Sequence, residues 1–294
     1  MKDFLKTYRR KIFWWGVLLL FSLALISLFA FYQNAKKPQL AVFFFDVGQG
    51  DAIFVESYDG TQILIDGGPP NRILPLIGKR MSYFDKYIDV VVLTHPHADH
   101  VSGLIEVLEK YNIGMLIESG VDYHTAEAKT FEKLIKEKNI KTVIIGHPVD
   151  LNFYNNAVLR FIYPEESFSG KTLKNVHDSA LISEIDFEGK KILLMSDAEK
   201  NVEKRLVREG KISDIDVLKT GHHGSKTSTS ESFLNAVHPS YAVIEVGAKN
   251  TYGHPHPTVL DRLANHNIPY YRTDTNGRIE LVSDGSRFFV DPEH

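Results

Sequence analysis

Four residues able to bind a metal ion fall within six positions of this chain: His95, His97, Asp99 and His100, in the run Thr94-His95-Pro96-His97-Ala98-Asp99-His100. They follow the apolar stretch Asp89-Val90-Val91-Val92-Leu93, where a buried strand should give way to a loop and then a helix. His95 and His97 are two positions apart, so in extended backbone both point to one side and can share an ion. Asp99 and His100, on the turn into the helix, can reach past that ion to a second. Neutral imidazoles and a carboxylate suit Zn²⁺ and accept Mn²⁺ or Fe²⁺.

Later segments repeat the arrangement. The run Leu193-Leu194-Met195-Ser196-Asp197 places a carboxylate after an apolar strand, where beside two metals Asp197 would serve as the bridging ligand. In Val217-Leu218-Lys219-Thr220-Gly221-His222-His223-Gly224-Ser225 the adjacent histidines should point opposite ways. One of them then binds metal, with His223 favoured, and the other faces substrate or protonates the leaving group. His177, in Asn175-Val176-His177-Asp178-Ser179, is the natural candidate to complete the first metal's shell. Gly253-His254-Pro255-His256-Pro257 is stiffened by its prolines and offers His254 as a substrate or supporting contact. Eight of the thirteen histidines lie in these clusters, which argues for one shared site.

The elements that must hold this site can be read from the remaining pattern. The chain has 294 residues, enough for one large domain or two modest ones, and 43% hydrophobic content allows a sizeable core. It has no cysteine, which excludes disulfides, thiolate metal sites and a Cys nucleophile. Strand patterns at 41–45, 52–57, 62–65, 89–93, 114–118 and 142–145 interleave with helical ones at 73–84, 104–111 and 126–138. The second half repeats that order. Strands are expected at 153–161, 181–187, 191–195, 215–219, 241–246 and 270–273, helices at 199–209, 231–237 and 258–265, and a closing hairpin turns through Ser283-Asp284-Gly285. Two mixed sheets packed face to face with helices outside satisfy this order.

The N-terminus is set apart. Residues 1–11 form a basic tail with a net charge of +4, leaving −7 for the remainder, so no global field attracts nucleic acid. Residues 12–32 carry no charge and are long enough to span a bilayer as a helix. The basic residues before the span place the tail in the cytoplasm and the rest of the chain outside. A cleaved signal peptide shares the pattern, but the stretch exceeds a usual apolar region and no A-x-A site precedes Lys36. A polar linker is expected at 33–39 and a hydrolase domain at 40–294.

The signature His95-x-His97-x-Asp99-His100, with strand-terminal Asp66, Asp197 and His223, resembles the metallo-β-lactamase-fold hydrolases. Phe45-Asp46-Val47-Gly48-Gln49-Gly50-Asp51-Ala52, Leu218 to Ser228 and Tyr252 to Pro257 are similar to the extracytoplasmic hydrolase domain of the ComEC competence proteins. The resemblance runs over roughly residues 40–290. It implies a four-layer αββα sandwich (α/β, α+β) and two divalent metals, Zn or Mn, in a cleft at the strand ends. His95, His97 and a third residue would hold one metal, and Asp99, His100 and His223 the other, with Asp197 shared. Asp66 would orient a ligand histidine through a hydrogen bond. Asp46, Asp51, Ser225 and His254 are expected as supporting or substrate contacts.

Two departures stand out: Asp197 follows Ser rather than the usual Gly, and Asn175 to Ser179 differs from the family's pattern. ComEC proteins also carry a multi-helix channel where this chain has one span, so DNA transport does not carry over. The implied reaction is phosphodiester hydrolysis by a hydroxide between two metals. Asp99 would align the water and His222 serve the leaving group. DNA or RNA is the first substrate class and cell-envelope phosphodiesters such as phosphocholine-bearing teichoic acids the second. A β-lactamase, lactonase or thioesterase of the same fold, and a metal-stabilised binding module, are the rivals. No protein partner follows from the sequence.

Overall fold

The computed structural model describes residues 2–35 and 39–294. Helix α1 (Lys2–Ala35) forms one unit, and residues from Gln39 onward form the other. Within α1 the stretch Lys11–Phe29 is long and apolar enough to cross a membrane. Its large side chains lie exposed, from Ile12 to Phe29. The helix continues through Gln33 to Ala35, so the first part of the expected polar linker is helical, while residues 36–38 lie outside the described residues.

In the second unit, β1 (Leu40–Phe44), β2 (Ile53–Ser57), β3 (Gln62–Ile65), β4 (Tyr87–Leu93), β5 (Asn112–Glu118) and β6 (Thr142–Ile144) begin the first sheet. Helices α2 (Ile73–Arg80), α3 (Ala98–Lys110) and α4 (Ala126–Glu137) connect its later strands. The second sheet holds β7 (Val149–Tyr154), β8 (Ala157–Tyr163), β9 (Ile182–Phe187), β10 (Lys190–Leu194), β11 (Val217–Lys219), β12 (Tyr241–Ile244) and β13 (Tyr270–Arg272). With it come α5 (Lys200–Arg208), α6 (Glu231–Val237), α7 (Pro257–Asn265) and the short α8 (Thr273–Asn276). The chain then returns to the first sheet as β14 (Ile279–Ser283), paired with β1, and β15 (Phe288–Pro292). Among the described residues the sheet orders are β15-β14-β1-β2-β3-β4-β5-β6 and β13-β12-β11-β10-β9-β8-β7.

Strand alternation makes the layers. Val42, Phe44, Val90 and Val92 of the first sheet pack with Ile192, Leu194, Val217 and Val243 of the second in a core between the sheets. The intervening Phe43 and Val91 turn outward onto Ile77 of α2, Leu104 and Val107 of α3 and Phe131 of α4. Leu193, Leu218 and Ala242 likewise meet Val202 of α5, Leu234 of α6 and Leu263 of α7. Both faces of each sheet are therefore covered, which is why the central strands read as continuous apolar runs. The layers are helix, sheet, sheet, helix, as expected.

Several boundaries differ from the sequence pattern. The expected strand 153–161 is two strands, because Asn155 adopts φ 37° and turns β7 back into β8. The helix expected over 73–84 stops at Arg80, with Met81 already extended. The helix expected from Leu104 starts at Ala98, with Asp99 in its positively polarised first turn.

Candidate metal centre

The site forms at the carboxyl ends of strands. Strands β3, β4 and β5 run parallel, as do β10, β11 and β12, and the loops leaving those ends carry the clustered residues. Asp66 follows β3, Thr94 to His100 follow β4, Asp197 follows β10 and His222 and His223 follow β11. The backbone must turn sharply to aim these side chains at one another. Asp66, Ser196, His222 and His223 all have positive φ, between 45° and 57°. Ser196 thus occupies, at φ 45°, a conformation that glycine adopts at no steric cost and a serine only with strain.

Three groups of donor atoms lie close together among the described residues; Asp51, Asp66 and His100 are one, with His100 Nδ1 already bonded to Asp66, and two more remain. His95, His97, His177 and Asp197 form one, pocket A; Asp99, His100, Asp197 and His223 form the other, pocket B; within each, the atoms lie within 4.8 Å of one another. Asp197 belongs to both. Its Oδ2 lies 3.6 Å from His95 Nε2, 3.6 Å from His177 Nδ1 and 3.5 Å from His100 Nε2, while its Oδ1 lies 3.5 Å from His223 Nε2. His223 Nε2 is also 3.3 Å from Asp99 Oδ2. Zn–N bonds of about 2.0–2.1 Å would set tetrahedral ligand atoms about 3.3 Å apart, so these spacings suit an ion.

The unmet hydrogen bonds point the same way. His100 Nε2, His223 Nε2, His177 Nδ1 and Asp197 Oδ1 are buried and lack a hydrogen-bond partner. Such atoms are costly in a folded protein, and a cation among them would satisfy them together. The far sides of two of these rings are engaged. His100 Nδ1 donates to Asp66 Oδ2 at 2.8 Å, and His223 Nδ1 donates to the Glu245 carbonyl at 3.0 Å. Each bond leaves Nε2 free to face a metal. Asp66 is fixed in turn by the Thr94 amide at 2.8 Å and the Thr94 hydroxyl at 2.6 Å, and Ser196 Oγ donates to Thr94 Oγ1 at 2.7 Å.

Ionisation differs across the cluster. Burial and the neighbouring His100 press the His95 pKa well below its ordinary value, and burial with His177 lowers His97 to about 4. Both are therefore neutral and ready to bind metal. Burial also opposes charge on His223, but Asp197 and Asp51 outweigh it and raise its pKa to about 10. His100 is raised in the same way by Asp197, Asp66 and Asp99 against its burial. A metal entering pocket B would displace those protons.

Three buried ionisable residues stand behind His223. Asp51 Oδ1 lies 3.2 Å from His223 Nδ1, and its other oxygen pairs with Lys219, which is 0% exposed. Lys219 Nζ also donates to the Ser196 carbonyl at 3.2 Å, and Glu245 accepts the Ala52 amide at 3.0 Å. Asp51 was expected in a supporting role; Lys219 and Glu245 were not expected at all. Their only sequence signal is a charge closing an otherwise apolar strand.

The remaining candidates separate. His222 lies outside both donor groups, with Nε2 3.8 Å from Asp197 Oδ2 and Nδ1 3.5 Å from Glu199 Oε1. It joins Gln49, His97, Asp99, His177, His223, Tyr252 and His254 in lining a cleft of about 170 Å³ over Asp197. Asp46 is exposed and accepts the Gly48 amide, which shapes the loop before Asp51 without reaching the donor groups. Ser225 is buried and bonded to Thr227, away from the cleft lining.

The pattern of the metallo-beta-lactamase superfamily matches residues 45–247, the span that carries every donor above. The chain belongs to the metallo-β-lactamase superfamily. Among related metallo-β-lactamase domains, it is 30% identical to ComE operon protein 3 of Bacillus subtilis over 80% of its own length and 32% of that protein's. It is 28% identical to Recombination protein 2 of Haemophilus influenzae, over 85% of this chain and 30% of the relative. The chain thus spans about a third of the length of these relatives. The metallo-β-lactamase fold protein YhfI from Bacillus subtilis superposes with a TM-score of 0.52 at 12% identity, covering 87% of this chain and all of that one. Igni18 from Ignicoccus hospitalis, a metallo hydrolase of the same architecture, gives 0.52 at 16% identity over 82% of this chain and 98% of that one.

Proposed function

We propose that the chain is a membrane-anchored phosphodiesterase that works with two divalent ions, Zn²⁺ or Mn²⁺, and acts on nucleic acid. The observation that carries this reading is the pair of donor pockets joined at Asp197. Two ions so held would acidify a water between them and neutralise the oxygens of a scissile phosphodiester.

The chain's own residues then have definite tasks. Asp99 faces the cleft with its side chain 31% exposed and is the carboxylate placed to accept a hydrogen bond from the attacking water. His222, on the cleft wall with Glu199 behind it, is placed to give a proton to the departing oxygen. Burial holds His95, His100 and His223 in single orientations, so substrate meets a site already in register. The name of Recombination protein 2, a relative matched over most of this chain, favours nucleic acid over other diesters. The basic residues preceding the apolar part of α1 favour a domain on the outer side of the membrane.

The test is metal content and turnover of the full chain in detergent. About two ions per chain, and cleavage of bis(p-nitrophenyl) phosphate and single-stranded DNA lost in Asp99→Ala, are expected. Cleavage of nitrocefin alone, or diester activity untouched by that substitution, would overturn the reading.

A further inference from the structure

Tyr252 stands 69% exposed at the rim of the metal cleft. Its ring lies along that of His254, with centroids 5.8 Å and planes 24° apart. The His254 ring is 5.6 Å from that of His222, so one side chain separates this pair from the residues around Asp197. The loop that presents the rings is tied from within by Asn250. Its Nδ2 donates to the carbonyls of Gly247 at 2.8 Å and His254 at 2.7 Å, and its Oδ1 accepts the amides of Tyr252 at 3.2 Å and His254 at 3.0 Å. Gly247, at the base of the loop, packs so closely on Gln49 that a Cβ there would lie 2.6 Å from the Gln49 amide.

These bonds fix the backbone of the loop, so Tyr252 is carried on a set support beside the cleft with a broad ring face open to a partner. The two rings are nearly parallel, so they offer one flat face; a quaternary ammonium is recognised instead by aromatic walls that enclose it. A flat, polarisable group therefore fits best. In a duplex each base already has neighbours on both faces, whereas an unpaired base has a face to give.

We infer that Tyr252, backed by His254, is a stacking ledge for a base of single-stranded nucleic acid, next to the phosphate presented to Asp197. This rests on the phosphodiesterase reading and names its substrate more closely: a single strand, gripped by a base as well as by its phosphate. Tyr252 acts through the ring face, so its hydroxyl is dispensable.

The experiment uses the full chain in detergent and a short fluorescein-labelled oligodeoxyadenylate with a nuclease-resistant phosphorothioate backbone, read by anisotropy. Tyr252→Ala should weaken binding about 5–150-fold, the range for one lost stacked base, and Tyr252→Phe should stay within about twofold. An oligonucleotide with one abasic position at the ledge should lose the same factor on the unaltered chain and nothing further on Tyr252→Ala. Equal binding by Tyr252→Ala and the unaltered chain, or full additivity of the two losses, would overturn the ledge. Cleavage of single-stranded DNA at the same KM by Tyr252→Ala and the unaltered chain would sink the ledge and leave phosphodiester hydrolysis standing. Tyr252-dependent binding in a chain that cleaves no phosphodiester would do the reverse.

Discussion

The two donor pockets share Asp197 but are built differently. In pocket B both histidines are braced from behind: His100 by Asp66, His223 by the Glu245 carbonyl, and the wall beyond by the pair of Asp51 and Lys219. In pocket A, His97 and His177 are only partly buried and lean on rings, His177 against His222 at 4.3 Å and His97 against His177 at 4.5 Å between centroids. His177 is carried on a single short turn, 176–179. The histidines of pocket B are preorganised by hydrogen bonds to buried groups, whereas of the histidines in pocket A only His95 is fully buried and hydrogen-bonded to Thr94, and His97 and His177 rest on ring contacts at the cleft surface. On the two-ion reading proposed above, this difference would make B the tighter site and A the more exchangeable one.

Asp197→Asn tests what the pockets have in common. It should empty both and lower diester turnover by more than about 100-fold, beyond the 10–100-fold usual for groups that merely orient ligands; metal analysis after dialysis would show it. Lys219→Met attacks the wall behind B. It leaves Asp51 buried without its cation, and should cost about 3–5 kcal/mol in urea unfolding of the metal-free chain. A loss under about 1 kcal/mol would mean that the wall does not depend on that pair.

The next pair of variants separates the pockets. His177→Ala should leave about one ion per chain, held in B, whereas Asp66→Asn should weaken the ion in B by about 10–100-fold and spare A. Chelator competition reads both, and equal responses to the two substitutions would erase the asymmetry.

The smallest effect lies behind pocket A. Glu118 lines a small cavity beside His95 and Pro96, and burial with the nearby Glu132 raises its pKa from 4.5 to about 7. Between those values the folded chain binds more protons than the unfolded one, so stability falls as pH rises through the window. Glu118→Gln should then stabilise the chain by about 1–3 kcal/mol at pH 8 and change little near pH 4.5. Urea midpoints at the two pH values check the sign.

Much of this was legible in the chain itself. The spacing of His95, His97, Asp99 and His100 announced a cluster able to hold a metal, because donor geometry is local when a strand runs into a helix. The layers followed from apolar runs long enough to be covered on two faces. What the pattern could not reveal depends on contacts between distant segments. Lys219 reaches Asp51 across 168 positions, and Gly247 meets Gln49 across 198. Asp46 and Ser225 sit in the motifs that suggested them, yet one shapes a turn and the other ties down its own loop. Proximity in sequence to a ligand does not decide which way a side chain faces.

The start of α3 carries a last consequence. A Cβ on Gly103 would lie 1.9 Å from the Gly67 carbonyl oxygen, one on Gly67 would lie 2.4 Å from the Leu104 amide, and one on Gly50 would lie 2.1 Å from the Asp99 carbonyl. Bare backbone therefore presses on bare backbone, and the amides of Gly67 and Gly103 donate at 2.9 Å to the carbonyls of His100 and Gly68 across the seam. The positions of Asp99 and His100 are set by this contact before any ion arrives. An ion taken up here would fill a mould already set by bare backbone.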